Sequence, residues 1–138
     1  MIVLDTNVLS EPMRRSPDTT VVDWIDQQPT AQLFTTATVI AELAHGIARL
    51  PTGKRQHRLV AAFDHMLTTD YLAGVLPFDQ FAAVECGALL AHADSTGRPL
   101  SLADAQIAAI CRVRGATLAT RNTKDFSGLG IALIDPWA

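Results

Sequence analysis

The sequence predicts an α/β fold built around a parallel sheet of four to five strands. Short apolar runs alternate along the chain with longer segments whose apolar residues recur at helical spacing, which is typical of strands joined by helical crossovers. The short runs are largely apolar and do not alternate with polar residues, as expected when helices cover both faces of a sheet. With 138 residues, 49% of them hydrophobic, we expect a single domain over residues 1–138.

The first half of the chain is expected to contain two strands and three helices. Residues 2–4 are a short run with β-branched side chains, and residues 33–36 form a second run. Three stretches place apolar residues every three or four positions, which predicts helices: 19–28, 38–50 and 54–69. Pro29 ends the first of these helices and Pro51-Thr52-Gly53 ends the second.

The second half is expected to contain up to three strands and two helices. Strands are predicted over 74–78, 116–120 and 131–134. Helices are predicted over 79–94 and 101–114, with glycines at 97 and 115 in positions that suit helix C-caps. Strands and helices therefore alternate along most of the chain.

Charge and cysteine usage exclude some classes of protein. The formal net charge is −3, which argues against a uniformly basic nucleic-acid-binding protein but allows a local basic surface. Cys86 and Cys111 fall in predicted helices and suggest two buried thiols, not a disulfide or a zinc site. The sequence shows no signal peptide and no apolar run near the roughly 20 residues of a membrane helix. We therefore expect a cytoplasmic protein.

Three acidic side chains lie in or directly after apolar segments, and each has a structural alternative. Asp5 ends the first strand, where it could bind a metal or cap the turn that follows. Glu42 lies in an apolar helix and could be a partly exposed boundary residue. Asp104 stands three positions after Ser101 in a capping-box pattern. No one of these acids predicts a site by itself.

Taken together, the acids predict a metal site at the carboxyl edge of the sheet. Ligands of parallel sheets bind beyond the carboxyl ends of the strands, where Asp5 and the segment 120–126 are expected. Two carboxylates about 4 Å apart repel each other by about 4 kcal/mol at an effective dielectric of about 20, and a cation relieves that repulsion. Magnesium prefers oxygen ligands and needs only one or two direct carboxylates.

These motifs resemble those of PIN-domain ribonucleases, and more narrowly those of the VapC-type and FitB-like toxins of bacterial toxin–antitoxin pairs. The resemblance covers nearly the whole chain. It rests on Ile2-Val3-Leu4-Asp5-Thr6-Asn7, Ala41-Glu42-Leu43 with Gly46, Ala103-Asp104 with Ile107-Ala108, Ala119-Thr120-Arg121-Asn122 through Asp125-Phe126, and the ending Asp135-Pro136-Trp137.

The resemblance implies a three-layer α/β/α domain that hydrolyses RNA with Mg²⁺ or Mn²⁺ in the bacterial cytoplasm. It implies a homodimer or a toxin–antitoxin hetero-oligomer, with a VapB-like, DNA-binding antitoxin that blocks the site and uses helices 38–50 and 54–69 as groove walls. By matching motifs, Asp5, Glu42 and Asp104 become metal-site residues, with Asp5 and Asp104 closest to the metal. The residues that shape the site are, by the same match, Thr6, Asn7 and Thr120.

The chain departs from the family pattern at Asn122, where an acid is often found. An amide offers oxygen without charge, so Asp125 is the expected substitute, and both residues are candidates for a catalytic role. One metal ion in the resting enzyme is therefore expected. For RNA phosphates the candidate contacts are Arg121, Lys124, Arg14 and Arg15, whereas the basic run at 54–58 suggests a solvated helix face.

Two other functions stay open on the sequence. A catalytically weak PIN-fold binding module is favoured by Asn122 and disfavoured by the three intact acids. A receiver-like signalling domain would need Asp79 as a phosphate acceptor, although Asp79 better suits a helix cap.

Overall fold

The computed structural model describes residues 1–69 and 71–138, and in them five strands are separated by helices, as the sequence predicts. The strands are β1 (Ile2–Leu4), β2 (Leu33–Thr36), β3 (Gly74–Leu76), β4 (Thr117–Ala119) and β5 (Leu133–Ile134). The α-helices are α1 (Thr6–Ser10), α2 (Thr19–Gln27), α3 (Ala37–Ala48), α4 (Lys54–Thr68), α5 (Gln80–Thr96), α6 (Leu102–Arg114) and α7 (Thr123–Phe126). Short 3₁₀ helices cover Glu11–Met13 and Thr30–Gln32.

The five strands form one parallel sheet in the order β3-β2-β1-β4-β5. All carboxyl ends therefore lie at the same edge. The chain winds from β1 through β2 to β3 on one side and then crosses to β4 and β5 on the other, which makes the β1–β4 neighbourhood a topological switch point. Asp5 directly follows β1 and Thr120 directly follows β4, so both residues lie at the crevice that such a switch point opens.

The strand order excludes the receiver-like alternative. Receiver domains have the order 2-1-3-4-5 with β3 beside β1, whereas here β3 lies at the outer edge of the sheet, next to β2. Asp79 is the N-cap of α5, and its Oδ1 accepts a hydrogen bond of 3.0 Å from the backbone N of Ala82. The capping role that the sequence favoured for this residue is confirmed.

Helices cover both faces of the central strands. Val3 and Leu4 on β1 are both 0% exposed, although neighbouring side chains of a strand point to opposite faces. Leu118 and Ala119 on β4 are also 0% exposed. The apolar runs of the sequence thus belong to strands that are buried on both sides, as parallel strands usually are.

The predicted strands and helices agree with the observed ones to within two residues at each end. The sequence did not predict α1 and α7, which have five and four residues and lie at the carboxyl edge of the sheet. Apolar periodicity needs a longer window than this to become visible. The segment 120–126, interpreted as a turn, therefore contains a helical turn.

Both cysteines lie in helices, Cys86 on α5 and Cys111 on α6, as the sequence predicts. Cys86 and Cys111 are free and buried. Burial raises the pKa of both thiols, and that of Cys111 to about 12. None of the helices in the described part of the chain combines the length and apolarity that a membrane crossing requires.

Candidate active site

Asp5 is the most buried acid at the switch point, with 5% of its surface exposed. Its backbone N donates to the carbonyl oxygen of Ala119 on β4 at 3.0 Å. Its carboxylate is held on both sides: Oδ1 accepts from the backbone N of Thr6 at 2.8 Å, and Oδ2 accepts from Oγ1 of Thr120 at 2.7 Å. The capping role that the sequence left open is therefore real, and it fixes the orientation of the carboxylate.

The environment of Asp5 makes its negative charge costly. Burial raises the pKa of the Asp5 carboxyl, and the hydrogen bonds from Thr120 and Thr6 oppose that rise. The negative charges of Glu42 and Asp125 raise it further. Structural ion pairs normally lower the pKa of an acid, so a buried carboxyl with a raised pKa among other acids suggests a functional site.

Asp104 lies in the first turn of α6 and is half-buried. Ser101 is the N-cap of this helix, and its Oγ accepts from the backbone N of Asp104 at 3.1 Å, so the N-cap half of the capping-box interpretation is confirmed. Burial raises the pKa of the Asp104 carboxyl, and the charges of Asp5 and Asp125 add to the rise. A hydrogen bond with the side chain of Ser101 opposes that rise.

Glu42 lies on α3 and is exposed. Its Oε1 accepts a hydrogen bond of 2.9 Å from Oγ1 of Thr6, the residue after Asp5. Helices α3 and α6 are joined nearby, since Oγ1 of Thr38 donates to Oε1 of Gln106 at 3.0 Å. Thr6 therefore links the Asp5 turn to Glu42, in agreement with the site-shaping role suggested by the sequence.

Asn7 holds the end of β4. Its Oδ1 accepts from the backbone N of Arg121 at 3.2 Å, and the guanidinium of Arg121 lies 4.9 Å from the ring centroid of Trp137. The sequence named Arg121 as an RNA contact but gave Trp137 no role. An Arg–Trp stack joins residues 16 positions apart near the C-terminus, and local sequence patterns carry no signal for such a contact.

Asn122 and Asp125 lie at the start of α7 and are exposed. The backbone N of Asn122 donates to Oγ1 of Thr120 at 3.0 Å, and its side chain makes no capping bond. Asp125 acts on the site through its charge, which raises the pKa of both Asp5 and Asp104. Of Asn122 and Asp125, only Asp125 therefore acts on the two acids through its charge, and its role at the missing fourth position stays a prediction.

The segment that carries Asp125 is fastened from outside the site. The guanidinium of Arg98 donates to the carbonyl oxygens of Lys124 and Ser127. Arg112 donates to the carbonyl oxygen of Leu129 at 2.9 Å. The sequence patterns gave neither arginine a role, and both hold the backbone after β4 in place.

The donor set suits a hard divalent cation that keeps part of its water shell. The available atoms are carboxylate oxygens, and repulsion among them contributes to the raised pKa values of Asp5 and Asp104. Within residues 1–69 and 71–138, no three acidic, histidine or cysteine side chains are arranged as a ready-made metal cage. Magnesium needs only one or two direct carboxylates, so Asp5 and Asp104 suit direct contact and Glu42 suits contact through water.

A basic groove adjoins the acids. It has a volume of about 1260 Å³ and is lined by residues of the 11–16 segment, α3 and α4, together with Thr6 and Glu42. Arg14 and Arg15 line it, in keeping with the RNA contacts suggested by the sequence. The basic run at 54–58 was interpreted as a solvated helix face, and its cations Lys54, Arg55 and Arg58 are indeed exposed. These three cations also line the same groove. Packing of α4 beside α3 brings them there, which a pattern along one helix does not reveal.

The fold and the acidic cluster define an α/β protein with an acidic crevice at the switch point of its sheet. The chain belongs to the PIN-domain family, because the sequence model of the PIN domain matches residues 2–131.

Three curated relatives match over nearly their whole length. The plasmid stability protein StbB of Pseudomonas syringae pv. tomato is 43% identical over 99% of each chain. The VapC ribonuclease Y4jK of Sinorhizobium fredii is 39% identical over 99% of this chain and 98% of its own. The toxin FitB of Neisseria gonorrhoeae is 34% identical over 99% of each chain.

The chain is also similar in structure to a solved protein. The structure of FitAB bound to an IR36 DNA fragment contains a chain that superposes on this protein with a TM-score of 0.90 and 33% sequence identity. The superposition covers 100% of this chain and 96% of that chain. The whole described fold is therefore shared.

Proposed function

We propose that this protein is a metal-dependent endoribonuclease and the toxin of a bacterial toxin–antitoxin pair. The observation that carries the proposal is the convergence of Asp5, Asp104 and Asp125 at the switch point, where negative charges raise the pKa of the first two. Relatives named as a VapC ribonuclease and as the toxin FitB, which match 99% of this chain, support RNA as the substrate and toxin as the role. We propose that a single domain over residues 1–138 carries this activity in the cytoplasm.

Asp5 and Asp104 would hold Mg²⁺ or Mn²⁺, with Glu42 contributing through water. When bound, the cation lowers the pKa of a coordinated water and stabilises charge on the phosphate. Hydrogen bonds from Thr6 and Thr120 keep the Asp5 carboxylate in one orientation. The carboxylate is therefore preorganised and needs no reorientation when substrate binds. The backbone N of Asn122 donates to Thr120, which binds Oδ2 of the Asp5 carboxylate. Asp125 follows in the same segment, which Arg98 holds through the carbonyl oxygen of Lys124. Asp125 can accept a proton or bind a water, whereas Asn122 brings no charge.

The proposed partners are a DNA-binding, VapB-like antitoxin and a second copy of this chain. The structural neighbour FitAB is bound to a DNA fragment, which supports an antitoxin that also binds DNA. The side chains of Phe81 and Val84 on α5 are 64% and 77% exposed, and exposed apolar residues on one helix favour burial against another chain. A homodimer that combines with antitoxin into a hetero-oligomer satisfies both observations.

The proposed activity is tested by incubating the purified protein with total cellular RNA in buffers that contain Mg²⁺, Mn²⁺ or EDTA. We expect cleavage with either cation and none with EDTA. Asp5→Asn and Asp104→Asn should each lower the cleavage rate by at least about 100-fold, since each removes a metal-binding charge. Asp94→Asn, an exposed acid near the end of α5, is the matched control and should cleave like the wild type. Cleavage that persists in Asp5→Asn would contradict the assignment of the site.

A second candidate is a PIN-fold binding module with little or no catalysis. Asn122 in place of an acid favours it, as does the lack of a ready-made three-ligand cage among the described residues. The same assay separates the two functions. A wild-type protein that binds RNA, stays folded and cuts no RNA with either cation would favour the binding module.

A further inference from the structure

Positive charge is concentrated on the groove beside the site. Of the 11 lysines and arginines in the chain, six line this groove, which are Arg14, Arg15, Arg49, Lys54, Arg55 and Arg58. Among the acids that the structure describes, only Glu42 lines it. The whole chain carries a net charge of −3, so the groove has a charge opposite to that of the protein as a whole.

Two of these cations have structural partners that shape the groove wall. Arg14 forms an ion pair of 2.9 Å with the buried carboxylate of Glu11. Arg58 on α4 donates to the carbonyl oxygen of Met13 at 2.7 Å. The ion pair stays within the segment after α1, and the Arg58 hydrogen bond holds that segment against α4. The wall is therefore fixed before any ligand arrives.

The other four cations are available for a ligand: Arg15, which follows Arg14 in the chain, and a group of three where α3 meets α4. Arg49, Lys54 and Arg55 are exposed, and in the described part of the chain the ion pairs involve none of them. They come from the end of α3 and the start of α4. Together they bring three exposed positive charges to the groove.

The position of Lys54 and Arg55 is unfavourable for the helix that carries them. Cations in the first turn are repelled by the positive end of the helix dipole, and here the first turn contains no acid. Gly53, the N-cap, offers no side-chain hydrogen bond to the first N–H groups. The helix dipole and the two cations thus create a strong positive potential at the start of α4. This potential disfavours the helix but favours binding of an anionic ligand.

We propose that this groove binds the sugar–phosphate backbone of single-stranded RNA and leads it to Thr6 and Glu42. The inference rests on the proposed ribonuclease function. A polynucleotide with one negative charge per nucleotide matches a row of cations, and a charged groove that follows the backbone is a common way to bind single strands. The lining contains no Phe, Tyr or Trp, so base stacking is absent from the groove and its recognition is of the backbone. The apolar residues Leu43, Ile47 and Leu50 also line the groove and would contact the ribose groups.

The test measures binding separately from cleavage. In an Asp5→Asn background with EDTA, the affinity for a short fluorescein-labelled oligoribonucleotide is measured between about 50 and 200 mM salt. Log affinity falls as log salt rises, and the variant Arg49→Gln/Lys54→Gln/Arg55→Gln should make that fall shallower, reducing the magnitude of the slope by about 2. Each lost phosphate contact on a single strand accounts for about 0.7 of the slope.

Two control variants isolate the groove. The charge-preserving variant Arg49→Lys/Lys54→Arg/Arg55→Lys should keep the slope of the wild type. Arg114→Gln removes an exposed cation at the end of α6, outside the groove, and should leave the slope unchanged within error. Urea unfolding of each variant checks that the fold is intact.

The outcomes are distinguishable. An unchanged slope in the neutralised variant overturns the proposal even if the wild type cleaves RNA. A shallower slope in the neutralised variant, together with a wild type that cuts no RNA, supports RNA binding in the groove and rejects the ribonuclease function. A DNA strand of the same sequence should show the same slope, because the contact is with phosphates. If neutralisation weakens binding of poly-glutamate but leaves RNA binding intact, the groove binds an acidic protein and the proposal is wrong.

Discussion

The hydroxyl of Thr120 donates a 2.7 Å hydrogen bond to Oδ2 of Asp5 and so joins the carboxyl ends of β4 and β1 across the switch point. The two residues are 115 positions apart in the chain. Thr120 is 0% exposed and also accepts from the backbone N of Asn122. One buried hydroxyl therefore fixes both the principal acid and the turn that leads to Asp125.

Thr120→Val should destabilise the protein and impair cleavage together. Valine has nearly the same shape but leaves Oδ2 of Asp5 and the N–H of Asn122 without their partner. The loss costs about 1–3 kcal/mol at the buried carboxylate and less at Asn122, which is exposed. The pKa of Asp5 should rise further, because the lost hydrogen bond is one that lowers it. Urea unfolding at pH 7 and the RNA cleavage rate measure the two effects. Thr117→Val, half-buried on the same strand, is the control and should change the stability by less than about 1 kcal/mol.

Mutation should separate the two roles of residues at the start of α6, which are helix capping by Ser101 and metal binding by Asp104. Ser101→Ala removes the N-cap and should lower the free energy of unfolding by about 1 kcal/mol while leaving the cleavage rate nearly unchanged. Asp104→Asn keeps the backbone N that Ser101 binds and should abolish most cleavage with little loss of stability. Chemical denaturation and cleavage assays on both variants provide the comparison. A large loss of cleavage in Ser101→Ala at a temperature where it is folded would show that the cap and the site are not separable.

The positions of these acids could be predicted from the sequence because they depend on local patterns. An acid directly after an apolar strand lies at the carboxyl edge, and parallel sheets bring all such edges together. Asp5 and the segment 120–126 were found in this way, and Asp104 was found at the start of a helix. The structure adds the order of the strands, which brings β4 next to β1 and makes Thr120 the partner of Asp5.

The basic groove and the Arg121–Trp137 contact could not be predicted in this way. The groove is formed by three segments that meet only when α4 packs beside α3 and Arg58 binds the Met13 carbonyl. Each cluster alone resembles a solvated helix face. The first turn of α4 did carry a signal, since two cations lie where the helix dipole disfavours them. Helices α1 and α7 are too short to show periodicity.

A charge on the exposed face of α5 should separate the proposed homodimer. Val84 is 77% exposed, so Val84→Glu should not disturb the core, and an unpaired carboxylate in an apolar interface costs several kcal/mol. The molar mass measured by light scattering after size-exclusion chromatography should fall from that of a dimer to that of a monomer. Val60→Glu makes the same change on α4, where Val60 is 42% exposed, and should keep the mass of the wild type. A wild type that is monomeric at all concentrations would reject the homodimer.

Asp5→Asn should change how stability depends on pH in the metal-free protein. Burial and neighbouring acids raise the pKa of Asp5 in the folded state above its unfolded value of about 3.9. The folded protein therefore binds a proton more tightly than the unfolded chain does, and Asp5 contributes its stability below pH of about 3.9. That contribution is lost as the pH rises through the raised folded pKa. Asparagine does not titrate, so the variant should gain stability relative to the wild type as the pH rises.

The measurement is urea unfolding of both proteins in EDTA at a series of pH values from about 4 to 8. The difference in unfolding free energy, variant minus wild type, should grow with pH and level off above the folded pKa of Asp5. The offset at low pH reports the altered hydrogen bonds to Thr6 and Thr120, so the test uses the slope alone. Mg²⁺ should stabilise the wild type at pH 7 by binding only its folded form and should have a much smaller effect on the variant. If the difference in unfolding free energy does not depend on pH, the charged form of Asp5 does not destabilise the metal-free fold. The electrostatic argument for a cation at this position would then fail.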